Sequence, residues 1–176
     1  MSTRGFYIFK YKGKYYIFYN GHDSYPQGPY GLCSRLIENL RKLTREQIIQ
    51  LLENLVLLYE EGVAERDINE KEEYNENGET DFISIEDALT RPYAYWRFFV
   101  RDNEPKKSII INDLKDINWD LCDIEYVYIM NIDQELFSIK ETYYNIQLHF
   151  PLFNIPYDWY DLYEKVYENE IDNENN

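Results

Sequence analysis

The sequence predicts an α+β domain: a mostly antiparallel sheet with helices packed on one side. Two observations carry this reading. Aromatic and β-branched runs broken by tight turns open the chain and recur near its end. Between and after them stand segments whose apolar residues recur at three- and four-residue steps, the period of a helix face.

The elements follow in order. "FYIFKYKGKYYIFYN" reads as a hairpin, with Phe6 to Tyr11 and Lys14 to Asn20 as strands and Lys12-Gly13 as the turn. Phe6 and Ile8 point to one face, Tyr7 and Phe9 to the other, as in a strand covered on both sides. The Pro- and Gly-bearing stretch "YNGHDSYPQGPYG" comes next. Cys33, Leu36, Ile37 and Leu40 then predict a helix over about 32–42. "TREQ" has the form of a capping box, with Thr44 as N-cap and Gln47 at N3. Ile48, Leu51, Leu52, Leu55 and Leu58 continue it as a helix over about 44–60. Residues 61–81 read as an exposed acidic loop or insertion, extended by self-repulsion. Ser84 caps a short "IEDAL" helix, "AYWRFFV" reads as a strand and "SIIIN" as a short apolar run. "IEYVYIMNIDQELFSIK" is a second hairpin turning at Asp133 and Gln134, and "YYNIQLHF" one more strand. A last helix is expected over about 157–168. Residues 1–168 thus form one domain, and 169–176 a frayed acidic tail.

Composition narrows the partners. The net charge of −15 is unevenly placed: residues 1–59 hold 8 basic and 4 acidic side chains, residues 60–87 hold 2 and 12. A phosphate backbone needs concentrated Lys and Arg, so direct nucleic-acid binding is not expected, nor is binding to an anionic membrane. Cys33 and Cys122 are too few for a secreted disulfide scaffold. No apolar run reaches 18 residues, and "MSTRGF" has no signal-peptide core. The expected location is the cytosol, or a host's cytosol.

Chemistry concentrates in "NGHDSYPQG". Asp23 and Ser24 are good turn residues, because their side chains bond nearby backbone N–H groups. Tyr25-Pro26 restricts the chain, while Gly28 and Gly31 allow unusual φ. A compact polar loop at the end of a sheet is also where ligands are read. The candidate binding set is Arg4, Asn20, His22, Asp23, Ser24 and Tyr25. A pocket walled by Tyr and floored by Asp23 suits a small polar or aromatic molecule. Arg4 has two readings: an ion pair with Asp23 that fixes the loop, or an anion clamp built on guanidinium geometry.

Other chemistries are thinly supported. His22 and His149 are the only histidines, and His149 fits a satisfied core or edge position. No metal site is expected, since neither Cys nor His stands at ligand spacing and the acidic run lacks calcium-loop order. No cofactor is expected, since glycine-rich phosphate motifs are absent. A terminal Ser2, exposed by Met removal, with His22 and Asp23 behind it, is the candidate catalytic set of an N-terminal-nucleophile hydrolase.

"TRGFYIFKYKGKYYIFYN", "DSYPQG", "EYVYIMNID" and "LHFPLFNIP" together resemble a family of uncharacterised proteins from fungi, large DNA viruses and, more distantly, bacteria and phages. Its pattern is an Arg-Gly, a hairpin, a D-[SG]-Y-P-x-G loop and a late strand ending in an "IDLD"-like turn. The resemblance covers both ends of the chain and skips the acidic middle. The family continues Gly-Leu-Gly after the Pro, where this chain has Gly28-Pro29-Tyr30-Gly31. It implies a fold and a site location, and no activity.

The sequence therefore supports a small cytosolic module that binds a small polar molecule or a protein partner at the "NGHDSYPQG" loop. One alternative is an acidic viral or mobile-element interaction protein whose 60–87 run and C-terminal helix present carboxylates to a basic partner, even imitating nucleic acid. The other is the hydrolase built on Ser2.

Overall fold

The computed structural model describes residues 3–28, 30–60, 108–116 and 123–174. The acidic segment 61–81, the Ser84-capped helix, the "AYWRFFV" strand, Cys122 and Ser2 lie outside the described residues. By internal contacts the chain divides into two compact units, Met1–Ile37 with Lys107–Asn176, and Glu38–Lys106.

The first unit is built on a six-stranded sheet. Its strands are β1 (Gly5–Tyr11), β2 (Lys14–Asn20), β3 (Ser108–Ile111), β4 (Tyr126–Asn131), β5 (Leu136–Glu141) and β6 (Ile146–Pro151). They lie in the order β3-β2-β1-β4-β5-β6. Every neighbouring pair is antiparallel except β1 and β4, which run parallel at the centre. The fold is α+β, with a mostly antiparallel sheet.

The first hairpin forms where its residues require. Lys12 and Gly13 both take positive φ, 50° and 74°, the backbone of a two-residue turn whose twist matches the strands. The strands pair from Gly5 opposite Asn20 to Tyr11 opposite Lys14. The second hairpin locks this turn: the Asp133 carboxylate accepts from the Lys12 N–H at 2.8 Å and the Gly13 N–H at 3.0 Å.

Side-chain alternation places apolar groups on both faces of β1. Phe6, Ile8, Ile17, Ile124 and Val127 form one buried cluster. On the other face Tyr7 stacks on Phe18 with ring centroids 4.9 Å apart, and Phe9 meets Phe18 edge-on at 6.2 Å. Tyr7, Ile8, Phe18 and Tyr128 are fully buried. A strand buried on both faces belongs at a sheet's centre, and β1 is there.

Helix α1 (Leu32–Leu40) buries Leu32, Cys33, Leu36, Ile37 and Leu40. Burial pushes the Cys33 thiol well above its ordinary value. Helix α2 (Arg45–Glu60) opens on the expected capping box: the Thr44 N–H donates to Gln47 Oε1 at 2.8 Å, and the Gln47 N–H donates to Thr44 Oγ1 at 3.2 Å. Ile48, Leu51 and Leu52 are its described buried side chains.

Helix α3 (Trp159–Glu174) starts two residues after the expected 157 and runs six past the expected 168, through most of the segment read as a frayed tail. Its apolar stripe explains the extension: Ile171 stands one turn beyond Tyr167 and is half-buried. Trp159 and Tyr163 are buried, and the helix packs against β6. Among the described residues no helix is long and apolar enough to cross a membrane.

Candidate functional site

The Pro-bearing loop leaves the end of β2 and delivers the chain to α1. Its first half is tied to the sheet. Asn20 and Ser24 are buried, at 4% and 0% exposure. The Asn20 amide donates to the His22 carbonyl, and to Ser24 Oγ at 2.8 Å. Ser24 Oγ donates in turn to the Asn20 carbonyl at 3.1 Å. The Ser24 N–H reaches the Thr3 carbonyl, and the Tyr128 hydroxyl donates to the Ser24 carbonyl at 2.6 Å from within the core. These two polar side chains are committed to holding the backbone.

The same junction explains the Arg-Gly pair before β1. A Cβ on Gly5 would stand 2.7 Å from Ser24 Cβ and 2.9 Å from the Tyr126 carbonyl oxygen. Gly5 is the position at which the loop lies directly on the sheet. Gly31 closes the other end: a Cβ there would come 2.3 Å from the Gln27 carbonyl oxygen. The Gly31 N–H donates to Gly28, and the Leu32 N–H donates to the Asp23 carbonyl at 2.9 Å, so the loop folds back on itself before α1 begins. Both the backbone N–H and the hydroxyl of Ser34 donate to the Pro26 carbonyl, at 3.2 and 2.9 Å.

Arg4 does not pair with Asp23. Its guanidinium is 3.0 Å from Asp123, at the start of the segment leading into β4, and its backbone N–H donates to Glu125 at 3.2 Å. The parallel β1–β4 pairing sets these residues side by side, whereas Asp23 lies on the exposed rim of the loop. Asp23 instead serves through its backbone, in the left-handed region at φ 52°. His22 is exposed beside it.

The second half of the loop does something different. Tyr25, Pro26, Gln27 and Gly28 form one wall of a cleft of about 530 Å³. The opposite wall is α3, with Tyr160, Tyr163, Glu164, Tyr167 and Glu168, and Tyr126 of β4 lies between them. The floor is therefore Tyr126, not Asp23, because Asp23 belongs to the half of the loop that turns away. Of the candidate binding residues, only Tyr25 lines this cleft.

Helical spacing builds the far wall. Tyr160, Tyr163 and Tyr167 stand at i, i+3 and i+7, on one face. Neighbouring rings in this row are each 6.0 Å apart, tilted 30° and 25°. Tyr144 closes the row edge-on, 5.2 Å from Tyr167. Glu164 and Glu168 follow Tyr160 at four-residue steps along the same stripe. The signal was present in "YDLYEKVYENE". Without the fold it reads as an ordinary amphipathic helix.

Electrostatics sharpen the picture. Burial, with the Glu141 carboxylate adding to it, pushes the Tyr126 phenol up to about 12. Burial and a hydrogen bond donated to Glu164 push Tyr160 up to about 12. Tyr163 is raised further by burial, then by Tyr126 and Glu141, and Tyr167 is raised chiefly by burial and its bond to Tyr144. Every one of these phenols is protonated at neutral pH. The charged groups lining the cleft are carboxylates, Glu164 and Glu168, and the Glu141 side chain, 3% exposed, lies near Tyr126 and Tyr163.

His149 lies on edge strand β6, exposed, with Nδ1 2.7 Å from Ser138 Oγ on β5. The two are cross-strand partners and neither lines the cleft. Comparison with family models, with curated proteins and with solved structures yields no match for this chain.

Proposed function

We propose that the chain is a ligand-binding module whose recognition site is the cleft between residues 25–28 and α3. One observation carries the reading. A loop tied to the sheet by Asn20, Ser24 and Tyr128 presents Tyr25, Pro26, Gln27 and Gly28 to a hollow of about 530 Å³, within the size range of small-molecule sites. A rigid wall lowers the ordering cost of binding. Tyr25 is the recognition residue retained from the loop, and the α3 tyrosines join it. Asn20 and Ser24 hold the site's shape. The ligand is a small polar molecule, and we place the protein in the cytosol, or in a host's cytosol if it is viral, as a member of the family its Arg-Gly, hairpin and D-S-Y-P-x-G pattern resembles.

Native mass spectrometry of the protein from its natural source tests the reading. A small-molecule adduct is expected on the wild type and absent from Tyr160→Ala. An adduct indifferent to that change, or a wild type that neither carries an adduct nor binds any member of a fragment library at the cleft, overturns it.

A second reading keeps one supporting feature. Helix α3 carries six acidic residues and one lysine, with Glu164, Glu168 and Glu170 exposed, so it offers an acidic surface to a basic protein partner. Binding to such a partner that collapses in high salt supports it, and binding indifferent to salt counts against it.

A further inference from the structure

We propose that the cleft takes a small organic ammonium ion, with Tyr160, Tyr163 and Tyr167 as its π-wall and Glu164 and Glu168 as its counter-charges. The inference rests on the binding reading above and names the ligand class for that site.

No Lys or Arg is found among the described residues that line the cleft, and two carboxylates stand at its mouth. The Glu141 side chain, buried, stands close enough to raise both Tyr126 and Tyr163. An anion entering here meets only like charge. A neutral aromatic would stack on the rings and leave the carboxylates without a counter-charge. A cation satisfies both, because the face of a protonated phenol attracts positive charge and the attraction strengthens where water is excluded. Protonation matters, since it is the neutral ring that also donates hydrogen bonds. Tyr160 donates to Glu164, fixing that carboxylate beside the ring. Tyr163 donates to Tyr126, fixing the ring at the centre of the row.

An alkylated ammonium fits better than a metal ion. Hard divalent cations require six or more oxygen ligands, whereas the cleft is lined by a row of phenol rings with centroids 6.0 Å apart and by few carboxylates. Spread over methyl or methylene groups, the same charge matches an aromatic surface and loses little hydration on entering it.

The experiment is calorimetric titration of the full chain with choline and with its neutral isostere 3,3-dimethyl-1-butanol, read alongside the ring signals of ¹³C-tyrosine. Choline is expected to bind about tenfold or more tightly than the isostere and to shift cleft tyrosine signals. The double change Glu164→Gln and Glu168→Gln, both exposed on α3, is expected to weaken choline several-fold and so to narrow its margin over the isostere. Equal binding of the two probes overturns the proposal, as does failure of choline to shift the rings. If choline fails while a neutral fragment shifts the same tyrosines, the ligand class is wrong and the binding site stands. If a lysine-rich peptide binds there and choline does not, the occupant is a protein and the proposal falls. If nothing shifts them, the site falls with it.

Discussion

The two halves of the Pro-bearing loop differ in almost every respect that matters. In the first half Asn20 and Ser24 turn inward, are buried and bond to backbone, while His22 and Asp23 between them stay exposed. From Tyr25 to Gly28 the chain faces a cleft. A stretch of nine residues can therefore be both an elaborate turn and a recognition surface, because the first role makes the second possible. The contrast gives a rule for mutagenesis. Changes in the first half should act mainly on stability, and changes in the second mainly on affinity.

The largest effect is expected at Gly5, where loop meets sheet. Its missing Cβ leaves room for Ser24 on one side and the Tyr126 backbone on the other, so Gly5→Val has no small adjustment available. The expected loss is about 3 kcal/mol or more, in the upper range for overpacking. Chemical denaturation measures it. A loss under about 1 kcal/mol would mean that the loop floats free of the sheet.

Ser24→Ala comes next. It removes the hydroxyl between the Asn20 amide and carbonyl inside a sealed site. About 1–3 kcal/mol is expected, the cost of leaving buried polar groups unsatisfied. Tyr128→Phe should cost less, about 1–2 kcal/mol, by depriving the Ser24 carbonyl of its donor. If the two changes together cost clearly less than the sum of the singles, they act through one network.

The cleft half responds to pH. The folded-state phenols of Tyr126 and Tyr160 lie near 12, above the ordinary value of 10. The unfolded chain therefore releases these protons first. Their contribution to stability is fully present below pH 10 and is lost as pH rises from 10 through 12. Denaturation midpoints at pH 9 and 11.5 should show this fall, and Tyr126→Phe should flatten it. An unchanged slope in that variant would remove Tyr126 from the buried row.

Much of this was legible locally. Lys12-Gly13 and "TREQ" announce structures closed within two to four residues, and both form as their residues dictate. The burial of β1 on both sides was legible too, from its apolar groups on both faces. What could not be read depends on partners far along the chain. The Arg4–Asp123 pair spans 119 residues. The cleft's floor, Tyr126, stands about a hundred residues from the loop that walls it. Asp23 does not line the cleft, because a residue at positive φ in a reversing chain points where the turn sends it. The α3 tyrosines were visible at helical spacing and silent about what they face.

The smallest effect is expected at Arg4, and it separates the two reasons for an Arg-Gly pair. Gly5 is required by contact distance. Arg4 is held by an ion pair whose side chains are 46% and 70% exposed, where solvent screens the attraction. Arg4→Ala should therefore cost about 1 kcal/mol or less, and that small loss should shrink in high salt. Its backbone bonds with Glu125 and Tyr126 survive the change, so the β1–β4 register is retained. Thermal melts at low and high ionic strength decide the point. A large, salt-independent loss would mean that the guanidinium, not the glycine, sets the parallel pair in place, and that the loop's anchorage begins one residue earlier than the contact distances imply.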